Sequence, residues 1–99
     1  MSGYELVLLE TRQDYQEESR RLHHGVEAYF EYFQLKRIQA YSLRKDGESV
    51  LTLSVQPEGF TSHIVGKMNR QPTEEEFSIV APLLATLGIE NRYDPNTLS

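Results

Sequence analysis

Two tight turns in the middle of this chain restrict its folding more than any other feature. Lys45-Asp46-Gly47-Glu48 carries an Asp-Gly pair, the residue pair that tolerates the positive φ angles of a two-residue hairpin. Pro57-Glu58-Gly59 sets a second turn, proline presetting φ and glycine free to go left-handed. Between and around them the residues alternate. Ile38, Ala40 and Ser42 fall on one face, with Gln39, Tyr41 and Leu43 on the other. Residues 49–56 set Leu51, Leu53 and Val55 against Val50, Thr52, Ser54 and Gln56, and Phe60 to Lys67 returns as a third strand. Turns this short force antiparallel pairing. Apolar groups on both faces of the first strand predict a sheet covered on more than one side, and Gly66 predicts a bulge or a close backbone approach.

The flanks read as helices. Residues 14–34 predict one helix, with Asp14 as N-cap, Glu17 three residues on and Glu18 favouring the positive helix end. Its stripe is Tyr15, Leu22, Val26, Tyr29, Phe30 and Phe33, and Gly25 weakens it by about 1 kcal/mol relative to alanine. After the sheet, Thr73-Glu74-Glu75-Glu76 forms a capping box, Phe77, Val80, Leu83, Leu84 and Leu87 face the core, and Gly88 stops the helix. Pro82 predicts a kink or restart near Ala81. Tyr4 to Leu9 reads as an opening strand or a buried helical turn. The expected fold is α+β, a three- to four-stranded antiparallel sheet packed with two helices, in one domain over residues 1–90, with an extended or flexible tail over 91–99.

Ninety-nine residues suit a single core. With no cysteine, disulfides and thiolate metal sites are excluded. Leu6-Val7-Leu8-Leu9 is too short, and too closely flanked by Glu5 and Glu10, to be a signal peptide or membrane span, so a cytoplasmic location is expected. Charge is segregated: residues 1–35 carry −4, residues 36–70 carry +3 and residues 71–99 carry −4, within a total of −5. The acidic total repels nucleic acid at long range, while the six bases Lys36, Arg37, Arg44, Lys45, Lys67 and Arg70 leave a local phosphate or nucleic-acid patch open.

No nucleophile elbow, phosphate loop or dinucleotide glycine motif occurs, so nothing calls for a cofactor. His23 and His24 point about 100° apart on a helix and cannot share one metal ion. His24 could instead meet His63 and Tyr29 in a polar pocket, with Arg44 as a further catalytic candidate. Lys67, Asn69 and Arg70, just ahead of a helix N-terminus, make a second candidate, an anion site.

Three stretches, Leu22-His23-His24-Gly25-Val26-Glu27-Ala28-Tyr29, Tyr41-Ser42-Leu43-Arg44 and Gly66-Lys67-Met68-Asn69-Arg70-Gln71-Pro72, together resemble the PcfJ-like domain of conjugative plasmids and phages in order and spacing. The family pattern has His-Cys-Val near the helix and a glutamine ahead of the glycine. Here His24-Gly25-Val26 and His63 stand in those neighbourhoods, so any nucleophilic role of the family's cysteine is lost. The resemblance implies a mobile-element setting. The favoured function is a small phage or mobile-element accessory protein, a non-enzymatic module binding a host protein through its acidic helices. An enzyme using His24, Tyr29, His63 and Arg44 and a phosphate or nucleic-acid binder through the basic residues are the alternatives. Six tyrosines and an exposed sheet edge also leave a homodimer open.

Overall fold

The computed structural model describes residues 3–93. Strand β1 (Tyr4–Leu9) leads into α1 (Arg12–Leu22), a 3₁₀ turn over Val26–Tyr29 and α2 (Phe30–Lys36). Then come β2 (Gln39–Lys45), β3 (Glu48–Val55) and β4 (Thr61–Val65), a 3₁₀ turn over Lys67–Asn69, and α3 (Glu74–Thr86). The four strands form one antiparallel sheet in chain order β1-β2-β3-β4. The α+β expectation holds, with the opening segment settled as a strand.

The central hairpin forms as its residues require, with Asp46 at φ 52° and Gly47 at φ 86°. The sheet is covered on both faces. On one, Leu43, Leu51, Leu53 and Ile64 pack with Val80 and Leu84 of α3 and with Tyr93. On the other, Leu9 and Ala40 pack with Tyr15 of α1, Val26, and Phe33 of α2. Tyr15 holds α1 to α2 through edge contacts with Phe30 at 5.0 Å and Phe33 at 6.0 Å.

The predicted helix over 14–34 is two helices. Thr11, not Asp14, caps α1: its hydroxyl accepts from the Asp14 N–H, and the Asp14 carboxylate accepts from the N–H groups of Thr11 and Glu10. Those two backbone bonds, Glu10 first, hold the Asp14 carboxyl below its usual range. The helix stops at Leu22 because His23 turns left-handed at φ 53° and Gly25 does so again at φ 74°. Periodicity missed the break because Val26, Tyr29 and Phe33 resume the same spacing after it.

α3 is capped at Thr73 as expected, yet it runs through Pro82 without a restart. Pro82 and Ser78 are both exposed, so the Ser78 carbonyl left without a helical donor faces water. Residues 91–93 pack back onto the start of β4. The Thr61 hydroxyl donates to Asn91 Oδ1 and accepts from the N–H groups of Arg92 and Tyr93, while Tyr93 is buried and stacked on Phe77. Asp94-Pro95-Asn96 and the rest of the expected tail lie outside the described residues.

Candidate functional site

The helix break determines what lies at the sheet face behind it. β3 and β4 present Thr52, Ser54, His63 and Val65 on the α1/α2 side, through the register Thr52↔Val65 and Ser54↔His63. The helices pack over β1 to β3, leaving this outer corner as a floor. The turn at 26–29 and Phe33 form one wall and Asn69 the other, enclosing a cavity of about 280 Å³. His24, Tyr29 and His63 all line it, so three residues 5 to 39 positions apart in the chain meet at one place. Backbone strain borders it on two sides: His23 at φ 53°, Met68 at φ 56° and Asn69 at φ 65° are all left-handed without being glycine.

The polar core beneath the pocket was hidden in the sequence. Glu18 was expected near the helix dipole, but it sits on the buried stripe of α1 with Tyr15, Ser19 and Leu22 and is 0 % exposed. Its carboxyl accepts from Ser49 Oγ at 2.9 Å and from Thr52 Oγ1 at 2.6 Å. With the Thr52 proton committed to Glu18, the 2.7 Å contact between Thr52 Oγ1 and His24 Nε2 requires the imidazole to donate. That assigns the proton to Nε2 and leaves Nδ1 to accept the Val26 N–H at 3.4 Å. Burial pushes the His24 pKa down and Glu18 pulls it back only in part. The ring is therefore held neutral, both nitrogens engaged in fixing the turn. The signal in the sequence was a row of hydroxyls, Ser42, Ser49 and Thr52, facing a helix stripe that carries one acid.

Arg44 is not in the pocket. It ends the same network at the far side, Nε donating to Ser42 Oγ at 3.2 Å and Ser42 Oγ donating to Ser49 Oγ at 3.4 Å. The four expected catalytic side chains thus split, His24, Tyr29 and His63 together and Arg44 apart. The enzyme reading is weakened further because His24 has no free nitrogen to take a proton.

The expected anion site at Lys67, Asn69 and Arg70 is already filled by the protein's own carboxylate. Arg70 holds Glu76 through two bonds of 2.9 and 2.8 Å, and Glu76 accepts the Thr73 N–H at the start of α3. The Arg70 bonds first, and the cap after them, hold Glu76 below the usual carboxylate range. Gly66 makes this arrangement fit, since a Cβ there would lie 2.9 Å from Arg70 Cζ. Asn69 instead lines the pocket.

The six bases do not form one surface. Arg70 is paired, Arg44 is bonded to Ser42, and Lys45 lies over the Tyr4 ring at 5.4 Å. Lys36 and Arg37 sit at the other end of β2, about 20 Å away at the ordinary strand rise. A larger, open groove of about 670 Å³ lies between the ends of α2 and α3, and of the residues singled out from the sequence for chemistry only Arg37 reaches it. Among the described residues, no three His, Asp or Glu side chains could hold a metal ion and no helix is long and apolar enough to cross a membrane.

The outward side of α2 is the other feature of this corner. Tyr29, Tyr32 and Leu35, spaced three apart, are 56 %, 53 % and 79 % exposed and form a ridge leading to the pocket. Met68, next to Asn69, is exposed as well. No protein-family model, no curated protein and no solved structure matches the chain.

Proposed function

We infer that the protein is a non-enzymatic protein-binding module of a mobile element, of the PcfJ-like kind, engaging a host protein through the outer ridge of α2. The observation that carries this reading is the ridge itself. Scattered exposed apolar residues are ordinary, but Tyr29 at the end of the 3₁₀ turn and Tyr32 and Leu35 on the seven-residue helix after it make one exposed row, and two tyrosines and a leucine together are the material of an interface centre. α2 anchors to the core through Phe33 and Phe30, and the ridge adds only outer contacts to it, Tyr29 and Tyr32 lying 6.4 and 6.3 Å from the Phe33 ring while more than half exposed themselves. Truncating it should therefore leave the fold intact. The PcfJ-like reading rests on the resemblance of the three sequence stretches, of which the first supplies His24, Val26 and Tyr29 and the third Asn69 to the pocket.

The test is affinity capture from host-cell lysate with the wild type and with the double variant Tyr32→Ala/Leu35→Ala. The expected result is a protein retained by the wild type and lost, by at least tenfold, from a variant whose circular dichroism and melting are unchanged. Identical retained proteins with both chains would overturn the reading. So would retention of nucleic acid alone with a steep loss as salt rises, which is the behaviour of a phosphate binder.

A further inference from the structure

We propose that the pocket beside the ridge seats one uncharged aromatic side chain with a hydroxyl tip, a tyrosine presented by the bound protein. The proposal rests on the protein-binding reading and adds to it the chemistry of the anchor residue. The pocket has no Asp, Glu, Lys or Arg in its lining. Glu18, the nearest acid in the hydrogen-bond network, is fully buried behind Thr52 and already satisfied by two hydroxyls. A charged side chain entering here would give up part of its water and meet no counter-charge. The walls are apolar and partly aromatic, through Val26, Phe33, Val65 and the Tyr29 ring. A flat ring is the shape such walls accept at low entropic cost.

The pocket is not purely apolar, and this separates tyrosine from phenylalanine. Ser54 Oγ, the Asn69 side-chain amide and the His63 ring make no hydrogen bond among the described residues, and all three face the same cavity. They present both donors and acceptors, which a phenol hydroxyl, itself donor and acceptor, can satisfy. At about 280 Å³ the space falls at the lower edge of small-molecule sites, which begin near ~300 Å³. It suits one side chain rather than a larger ligand. Asn69 lines it from a left-handed backbone, a conformation asparagine tolerates better than most residues.

The experiment is a two-dimensional amide NMR titration of the full chain with N-acetyl-tyrosinamide, N-acetyl-phenylalaninamide and N-acetyl-lysinamide, with no partner protein present. The tyrosine compound should give saturable shifts centred on Val26, Thr52, Ser54, Val65 and Asn69, with a dissociation constant on the order of 1 mM. The phenylalanine compound should bind about three- to tenfold more weakly for want of one hydrogen bond, and the lysine compound should not saturate. Ser54→Leu, which fills the floor, should abolish the shifts. Asn69→Gly, which keeps the left-handed turn while removing the amide, should weaken tyrosine binding about three- to tenfold and leave phenylalanine binding unchanged. Equal binding of the two aromatic compounds, stronger binding of the lysine compound, shifts elsewhere on the surface, or insensitivity to both variants would each overturn the assignment. No binding here while ridge-dependent capture persists sinks the pocket assignment alone. Tyrosine binding without ridge-dependent capture sinks the protein-binding reading.

Discussion

Glu18 and Thr52 meet at 2.6 Å with both residues out of solvent, and a double-mutant cycle between them measures how much the polar core beneath the pocket stabilises the fold. Glu18→Leu keeps the side chain's bulk but takes the acceptor from a Thr52 hydroxyl that has no access to water. An orphaned buried hydroxyl costs about 1–3 kcal/mol, while half-buried Ser49 can turn to solvent at little cost. Thr52→Val strands a Glu18 oxygen and the His24 Nε2–H together, a similar or slightly larger loss. For 99 residues the unfolding entropy near the midpoint is about 0.2 kcal/mol per degree, so a loss of ~2 kcal/mol lowers Tm by roughly 10 °C. In the double variant the mutual orphans are gone and only the His24 N–H remains unpaired. The double loss should fall short of the sum by about 1–2 kcal/mol. Urea unfolding followed by circular dichroism reads these terms from midpoints at constant m. Additive losses, within ~0.5 kcal/mol, would refute a direct buried coupling. A Glu18→Leu melting point within about 2 °C of wild type would refute the burial argument itself.

Two further outcomes follow from the same geometry. His24 is held below its ordinary value of 6.5, so the unfolded chain binds its proton first on acidification. Stability from the neutral ring is then complete above that value and lost as pH falls through the window beneath it. Melting curves between about pH 7 and pH 5 should drop more steeply for wild type than for His24→Gln, which keeps the donor to Thr52 without titrating; parallel curves would refute the neutral-ring assignment. The depressed carboxyls Asp14 and Glu76 do not confuse this window, because their contributions fade only below 3.8 and 4.5. In α3, Pro82→Ala restores a backbone donor to the Ser78 carbonyl, and after allowing for the looser unfolded chain should raise stability by about 1–2 kcal/mol, read as a rise in Tm of at least ~5 °C.

Where a local rule and the long-range packing agreed, the fold was legible from residues alone. Asp46-Gly47, the alternation of Leu51, Leu53 and Val55, and the Thr73 capping box each specify their own structure within a few positions. Pro82 was misleading because its penalty depends on whether the stranded carbonyl is wet, a fact of exposure and not of sequence. Glu18 was misleading for the opposite reason. Three acids or amides of similar character, Gln16, Glu17 and Glu18, stand in a row, and only the third falls between Tyr15 and Leu22 on the buried stripe. The spacing of Tyr15, Glu18 and Leu22 already puts them on one stripe, and the polar character of Glu18 alone argued for the surface. The convergence of His24, Tyr29 and His63 was a guess that needed the pairing of Ser54 with His63 to become geometry.

The break at His23 and Gly25 links these points. An unbroken helix over the 21 residues 14–34 would run about 32 Å, longer than β3 at about 27 Å, and would lie straight across the sheet. Two left-handed residues instead end α1 above β3 and send α2 back toward β1 and β2, where Phe33 meets Leu9 and Ala40. The turn also swings His24 down onto Thr52, which it could not reach from a helix position beside the solvent-facing His23. Leaving β4 without a helix above it creates the cavity, and the 3₁₀ turn after Gly25 places Tyr29 in its lining. A Cβ at Gly25 would meet nothing within 4 Å, so the glycine is required by φ alone and not by packing. Space at that position is therefore abundant, and the constraint on it is the direction in which the chain must leave α1. The glycine that weakened the expected helix is the one that opens the site.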